Sequence, residues 1–388
     1  MNNMEIIDEI NKKENLHPRI LDFIDEKEDK EEKYYELIEF VNESKISQNK
    51  QDLQDILYLL LNISNNHHRE SDFINKMIRI LQFLQTDLNE FFTNDDIYKI
   101  FEPNMLLIFH LIQNELITPN DFIIRGILDK RPNRYFLYPV IKSYINEIEK
   151  KNDLEKQIKT IQDSDLTIFQ TNCERGENDS EICCLIRDDS IDEFIAFFHR
   201  KNLVLNSKIK PSIFETNDFL KDKSPTLIEY AAFYGSIQIF DYLCLNKIEF
   251  KKSVMIYAIH GRNYDMIHSI EGNIKINDLE DKFFYTDWEE ISCESIKCHH
   301  NDFANYIINN YINKNSNGQI FNASLKYHNY AFVQNDEMLK ISYDDLSEYS
   351  DEDLLNFAYN NSLKISYEKL CKNTFSFWNG RLFNFFIY

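Results

Sequence analysis

The side chains best suited to chemistry lie together in one short segment. Two thiols and two imidazoles lie within eight residues, namely Cys293, Cys298, His299 and His300, and Asp302 lies nearby. Structural zinc sites use such ligands in pairs separated by roughly two to four residues, with a second pair at a distance. The two cysteines here lie five residues apart, and no second pair follows. The sequence therefore predicts no metal site and no cofactor.

The spaced motifs that assemble a catalytic site are also missing from the sequence. It contains no Gly-x-x-x-x-Gly-Lys phosphate loop, no Gly-x-Gly-x-x-Gly, no His-Glu-x-x-His, no Cys-x-x-Cys and no calcium-binding loop. A nucleophile and a base cannot be paired without a spacing that brings them together. We therefore expect a protein that is not an enzyme.

The segment from Ser224 to Leu243 predicts two helices joined by a tight turn. Ala231 and Ala232 are small residues that let a neighbouring helix approach closely. Gly235 follows four residues after Ala231, where the end of a helix favours a residue that tolerates positive φ. Apolar residues then recur at helical spacing through Leu243. The spacing therefore predicts a helix–turn–helix unit.

Two capping schemes fit the start of the first helix. Ser224 could cap it with Pro225 in its first turn. Alternatively, Thr226 could cap it with Glu229 closing a capping box. The two schemes begin the helix within two residues of each other.

Copies of this unit recur on both sides of it. Steps of 27, 37 and 29 residues place Ala258, Ser295 and Ser324 in turn at the position of Ala231, and a step of 45 residues backwards reaches Ile186. One unit cannot bury its own apolar face, so stacked copies are expected. Asparagine, which tolerates the left-handed conformation, lies beside each turn where glycine is replaced. These turns are Arg262 with Asn263, His299 with Asn301, and His328 with Asn329.

The central part of the chain resembles the ankyrin repeat. The order of threonine, alanine pair, glycine and leucine matches the ankyrin signature, although Pro225 precedes the threonine and Glu229 replaces the histidine. The forward steps average 31 residues, near the ankyrin period of about 33. More specifically, residues 176–333 resemble a divergent ankyrin family that is abundant in flagellated protists and has no known function. The segments that carry this resemblance are Gly176-Glu-Asn-Asp-Ser, Leu185-Ile-Arg-Asp-Asp-Ser-Ile, Pro225-Thr-Leu-Ile-Glu-Tyr-Ala-Ala, Tyr257-Ala-Ile-His-Gly-Arg-Asn and Ser295-Ile-Lys-Cys-His-His-Asn-Asp.

This resemblance implies an all-α, ankyrin-type helical solenoid that serves as a non-catalytic protein–protein interaction scaffold or adaptor. In an ankyrin stack, first-helix positions beside the alanine pair and just before the turn face the concave groove. The partner-binding residues implied here are Tyr230, Phe233, Tyr234, Tyr257, His260, Lys297, Lys326 and Tyr327. Tyrosines with basic neighbours commonly supply interface energy. The alternative is that the aromatic residues pack against the next repeat.

The chain divides into three parts. Residues 1–172 are predicted to form an N-terminal helical region, with degenerate helical repeats as one interpretation of its spacing. Apolar stripes lie near 53–61 and 73–84, and an interruption is expected at Pro18. After the polar loop at Cys173 to Glu181, residues 176–335 form the divergent ankyrin repeats. Residues 336–388 form a helical cap whose aromatic tail docks on preceding helices, inserts into a partner or mediates self-association.

Composition narrows the class of partner and compartment. The net charge of −22 opposes binding to nucleic acid and to anionic membranes and favours a basic partner, although acidity alone commonly serves solubility. Only 7 Gly and 7 Pro in 388 residues indicate long helices. Seven irregularly spaced cysteines and the absence of a signal-peptide pattern predict a cytoplasmic protein. The alternative to a groove-binding scaffold is a structural or self-associating protein with no specific groove ligand.

Overall fold

The structure is a computed structural model, and it describes residues 3–27, 31–69, 72–130, 133–145, 148–161, 166–246, 248, 253–280, 288–312 and 317–332. Throughout these ranges the protein is all-α, as predicted. Extended backbone pairs there only at an isolated antiparallel bridge between Lys208 and Thr226. The predicted cap over 336–388 and its aromatic tail lie outside the described residues.

The N-terminal region is built from helices α1 to α12. Their bounds are α1 Asn3–Asp25, α2 Glu31–Ser44, α3 Lys50–Asn66, α4 Phe73–Phe83, α5 Gln85–Phe91, α6 Asn94–Phe101, α7 Met105–Gln113, α8 Asp121–Asp129, α9 Asn133–Phe136, α10 Tyr138–Ile141, α11 Ile148–Ile161 and α12 Leu166–Arg175, with a 3₁₀ turn at Ile46–Gln48. The predicted apolar stripes lie on α3 and α4 and are buried. They belong to a core that runs from Leu16 to Cys173 and also takes in Phe214 from a later loop.

Helix α1 differs from the prediction, because Pro18 lies inside it and does not end it. A proline within a helix costs about 3 kcal/mol through a lost hydrogen bond and a ring clash. Leu16 before the proline and Ile20 and Ile24 after it are all buried on the same core. Burial of each such side chain contributes roughly 1.5–3 kcal/mol, so packing offsets the cost and keeps the helix continuous.

The second half of the chain is a stack of helix pairs. The pairs are α13 Glu181–Arg187 with α14 Ile191–Arg200, α15 Leu227–Tyr234 with α16 Ile237–Leu245, α17 Ser253–Gly261 with α18 Tyr264–Glu280, and α19 Trp288–Lys297 with α20 Asn301–Tyr311; α21 Asn317–Lys326 and a 3₁₀ turn at Tyr330–Phe332 follow. The first helices α13, α15, α17, α19 and α21 contact one another in succession. Each second helix packs on its own first helix. One apolar cluster runs through these pairs from Cys183 to Ile307, and a second, smaller cluster joins α19 and α20 to α21 and the final 3₁₀ turn.

The turns within these pairs adopt the left-handed conformation at the expected positions. Gly235, Arg262, His299 and His328 have φ values of 67°, 49°, 58° and 55°. Thr226 caps α15, with its side chain and that of Glu229 forming the complete capping box, so the second of the two capping schemes is the one observed. The two helices α15 and α17 pack closely at Gly261, because a Cβ at Gly261 would lie 2.3 Å from the carbonyl oxygen of Ala232.

Candidate functional site

The N-terminal helices cover the turns of the stack. Polar side chains of α1 and of the segment from Asn62 to Arg69 contact the turns at Arg262, His299 and His328, and we call this contact the seam. Its hydrogen bonds include His17 Nε2 with His299 Nδ1 at 2.9 Å, His67 Nδ1 with the Cys298 carbonyl at 2.8 Å, His68 Nδ1 with the His260 carbonyl at 3.1 Å, and Asn62 Nδ2 with His328 Nδ1 at 3.0 Å. Nothing in the local sequence pattern predicted this contact.

One part of the seam is ionic. Although burial raises the pKa of Asp25, hydrogen bonds and charge from His67 and Arg262 lower it to about 2. The carboxylate therefore accepts from His67 Nε2 at 2.7 Å and from the Arg262 guanidinium. His67 Nδ1 faces the Cys298 carbonyl oxygen, so both ring nitrogens of His67 face oxygen atoms. His67 and Arg262 thus share one carboxylate at the turn between α17 and α18.

The neighbouring imidazoles of the seam are buried and neutral. Burial, together with the charge of His67, lowers the pKa of His17 to about 3 and holds the pKa values of His299 and His300 well below the usual range. Among the described residues, His17 Nδ1, His299 Nε2 and His300 Nε2 have no hydrogen-bond partner. Charging any of these rings inside the folded protein would be costly.

A separate cluster joins α17 and α19. The Glu294 carboxylate accepts from His260 Nε2 at 2.8 Å and from Lys297 Nζ at 2.9 Å. Burial raises the pKa of Glu294, but these two donors outweigh it and lower the pKa to about 2. Burial lowers the pKa of His260, which leaves a neutral ring with its proton on Nε2. Cys298 Sγ lies 3.5 Å from the other ring nitrogen.

Within the described chain, His260, Glu294 and Cys298 are the one group of three side chains whose ligand atoms lie within 4.8 Å of one another. Lys297 Nζ and His260 Nε2 both contact Glu294 Oε1, so a cation bound at this oxygen would meet the positive charge of Lys297 at close range. The geometry also opposes a catalytic thiolate. Cys298 Sγ lies 3.5 and 3.7 Å from the two ring nitrogens and so is aligned with neither in-plane lone pair. Burial raises the pKa of this thiol well above the usual range. The Glu294 carboxylate of this cluster holds Lys297 in place.

The fixed Lys297 faces an open cleft of about 370 Å³. The cleft is bounded by the end of α3, by the loop before α15, and by the ends of α19 and α21. The residues that line it are Asn62, Asn65, Asn66, Asp218, Phe219, Lys223, Lys297 and Tyr327. Two of the eight predicted partner-binding residues, Lys297 and Tyr327, are therefore brought together here.

The other predicted partner-binding residues lie elsewhere. Lys326 is exposed, and Tyr234 is half-buried. Tyr230, Phe233, Tyr257 and His260 are buried, so none of these four presents its side chain to a partner in this conformation. Phe219 covers three of them, with its ring centroid 5.8, 4.8 and 4.4 Å from those of Phe233, Tyr257 and His260.

Phe219 and Lys223 are cleft residues that sequence reasoning missed, because they lie in the loop between two repeat units. The length of that loop was the available signal. The step of 45 residues backwards to the first unit is longer than the others, and the excess residues form the loop that reaches the cleft.

Comparison with known proteins found no matching protein family, no matching curated protein and no matching solved structure. Among the described residues, no helix combines the length and apolar character needed to cross a membrane.

Proposed function

We propose that the protein is a non-catalytic protein–protein interaction scaffold built on a divergent ankyrin-type stack. The observation that carries this proposal is the register of the stack. Successive first helices contact one another, and the turns at Gly235, Arg262, His299 and His328 all have positive φ. This is the arrangement expected if each unit is one repeat that buries its apolar face against the next.

The proposal places recognition at the cleft. In the ankyrin resemblance, partner-binding residues lie near the ends of the first helices, and Lys297 ends α19 while Lys326 ends α21. Lys297 and Tyr327 line the cleft. The N-terminal helices, packed along the seam, supply the opposite wall through Asn62, Asn65 and Asn66. A partner would therefore contact both halves of the chain at once.

Affinity capture from extract of the native cells tests this function. Wild type is compared with the triple variant Lys297→Ala, Lys326→Ala, Tyr327→Ala, whose targets are accessible. A matched control carries Lys142→Ala, Tyr144→Ala and Lys201→Ala at exposed positions elsewhere. Circular dichroism of all three confirms that each is folded.

We expect a defined protein to be captured by wild type and control but lost from the cleft variant. Equal capture by all three proteins would contradict recognition at the cleft. The alternative, a self-associating structural protein, predicts capture of further copies of this chain only and a particle mass in sedimentation that rises with concentration.

A further inference from the structure

The cleft is lined on three sides by residues of different chemical character. The asparagines of α3 form one side, the loop residues Phe219 and Lys223 form the second, and Lys297 with Tyr327 forms the third. Its volume of about 370 Å³ lies in the range of roughly 300–1,000 Å³ that is usual for ligand pockets. It is therefore large enough for a few residues of an extended chain.

Lysines in and beside the cleft leave it with positive charge. The Lys223 ammonium lies 3.3 Å from the centroid of the Phe219 ring, and Lys326 lies 5.4 Å from that of Tyr327. Neither has a carboxylate within 4 Å among the described residues, whereas Lys297 is paired with Glu294. Aromatic faces hold these ammonium groups without neutralising them.

The carboxylates that face this region are already paired with lysines or hydrogen-bonded within the protein. Asp218 on the cleft wall is paired with Lys221 at 2.5 Å. Glu294 accepts from Lys297 and His260. Glu229 is hydrogen-bonded in the capping box of α15 by neutral groups of Thr226 and keeps its negative charge. The two lysines Lys223 and Lys326 outnumber this one carboxylate, so the charge left over at the cleft is positive, in a chain whose net charge is −22.

The asparagine wall offers hydrogen bonds of the kind a peptide backbone needs. Asn62, Asn65 and Asn66 lie on one face of α3 because their spacing is that of one helical turn. Half of each amide is used within the protein: Asn62 Nδ2 donates to the Tyr58 carbonyl, Asn66 Nδ2 donates to the Asn62 carbonyl, and Asn65 Oδ1 accepts from Asn104. Counted over the described residues, this leaves two acceptors and one donor for a ligand.

We propose that the cleft binds an extended acidic segment of a partner protein, an inference that rests on the proposed scaffold function. The free asparagine groups pair with the N–H and C=O groups of the segment. Lys223 and Lys326 bind its Asp or Glu side chains, and Phe219 and Tyr327 contact the apolar stems between them. A free carboxylate or phosphate would satisfy the lysines but would leave the asparagine wall unused.

Selection from a phage library of random dodecapeptides tests the proposal with a defined probe. The immobilised full-length protein is compared with Lys223→Glu/Lys326→Glu. The matched control, Lys142→Glu/Lys201→Glu, carries the same change in net charge at exposed positions outside the cleft. Wild type and control should enrich peptides rich in Asp and Glu, and the cleft variant should enrich peptides rich in Lys and Arg.

An enriched peptide is then measured by fluorescence anisotropy. Lys223→Ala should weaken its binding about tenfold, the loss expected for one charge-assisted hydrogen bond in an open site. Changing the acidic residues of the peptide to amides should weaken binding similarly. Free glutamate or inorganic phosphate at millimolar concentration should compete only weakly, and full competition would show that the site recognises a small anion.

Two enrichment results would overturn the acidic-segment inference without contradicting the proposed scaffold function. One is enrichment of the same peptides by wild type and the charge-reversed cleft variant. The other is enrichment without any acidic preference. If no peptide is retained by any of the three proteins, the inference is also wrong. The capture experiment then decides independently whether the cleft binds a folded partner.

Discussion

Acid should destabilise this protein through the buried imidazoles of the seam. His17 has a pKa of about 3 in the folded protein and an ordinary value near 6.5 when unfolded. Because the folded-state pKa is lowered, the unfolded chain binds more protons in the interval between these values. The stabilising contribution is therefore complete above about pH 6.5 and is lost as the pH falls toward about 3.

The magnitude follows from the two pKa values. At about pH 5 the protonation of an unfolded histidine is worth about 2 kcal/mol, while His17 in the folded state remains neutral. His299 and His300 shift in the same direction and add to the loss. Asp25 and Glu294, whose folded pKa values are lowered to about 2, add their own loss only below their ordinary values of about 4. Between about pH 7.5 and 5 the histidine loss is opposed by Glu215, because burial raises its folded-state pKa to about 7 and the folded protein takes up a proton there. The contribution of His17 is therefore measured as the difference between wild type and a His17 variant over this window.

Urea unfolding of the full chain, followed by far-ultraviolet circular dichroism at about pH 7.5 and 5, measures this effect. In wild type the loss from the buried histidines should be partly offset by the gain from Glu215 on acidification. His17→Phe fills the same space without a titrating group, so its loss on acidification should be about 2 kcal/mol smaller than that of wild type. The exposed His199 provides the control, since His199→Gln should behave as wild type. If His17→Phe and wild type lost the same stability on acidification, the reasoning about the seam would be refuted.

Three further changes probe the stack and its clusters. Gly261→Ala should cost about 1–3 kcal/mol in urea unfolding, because the added Cβ would lie 2.3 Å from the Ala232 carbonyl oxygen. Gly272→Ala, which meets no atom within 4 Å, should be neutral or stabilising by up to about 1 kcal/mol; equal costs would contradict the packing of α15 on α17. Thr226→Ala should lower the unfolding free energy by about 1 kcal/mol through loss of the capping box. Ser224→Ala should leave the unfolding free energy unchanged. The reverse result would favour Ser224 as the cap of α15. Addition of Co²⁺ should produce no thiolate charge-transfer absorption at Cys298, because a cation in that cluster would meet the positive charge of Lys297 at close range; a band lost in Cys298→Ser would show a metal site.

Local features of the repeat units could be predicted from the sequence because their causes lie within a few residues. Gly235 lies at the end of a helix, where glycine is expected to adopt positive φ, and it does so. The two capping schemes for α15 began within two residues of each other, and Thr226 is the cap observed. The continuity of α1 through Pro18 could not be predicted from neighbouring residues alone. The burial that keeps α1 continuous comes from contacts with other helices, which the local pattern does not contain.

The seam could not be predicted because its partners are far apart in the chain. His17 and His299 are separated by 282 residues, and no periodicity relates them. A signal was present, however. A turn with positive φ favours glycine, and yet Arg262, His299 and His328 occupy such turns. A large polar side chain at a turn that favours glycine indicates that the side chain makes a contact outside the turn. Here each of the three side chains contacts the N-terminal helices.

The candidate site was predicted only at its accessible edge. Lys297 and Tyr327 do line the cleft, whereas Phe233, Tyr257 and His260 are buried beneath Phe219. The repeat pattern identifies which helix face a residue occupies. It does not show that a loop from the preceding unit covers that face.

Site-specific photocrosslinking from position 327 tests the central claim most directly. A benzophenone amino acid replaces Tyr327 in the cleft, and the same replacement at the exposed Tyr144 serves as the control. Both proteins are irradiated in native cell extract. The account predicts a partner protein crosslinked from position 327 and not from position 144, through a segment rich in Asp and Glu. Crosslinking that is absent, or equal at the two positions, would contradict recognition at the cleft.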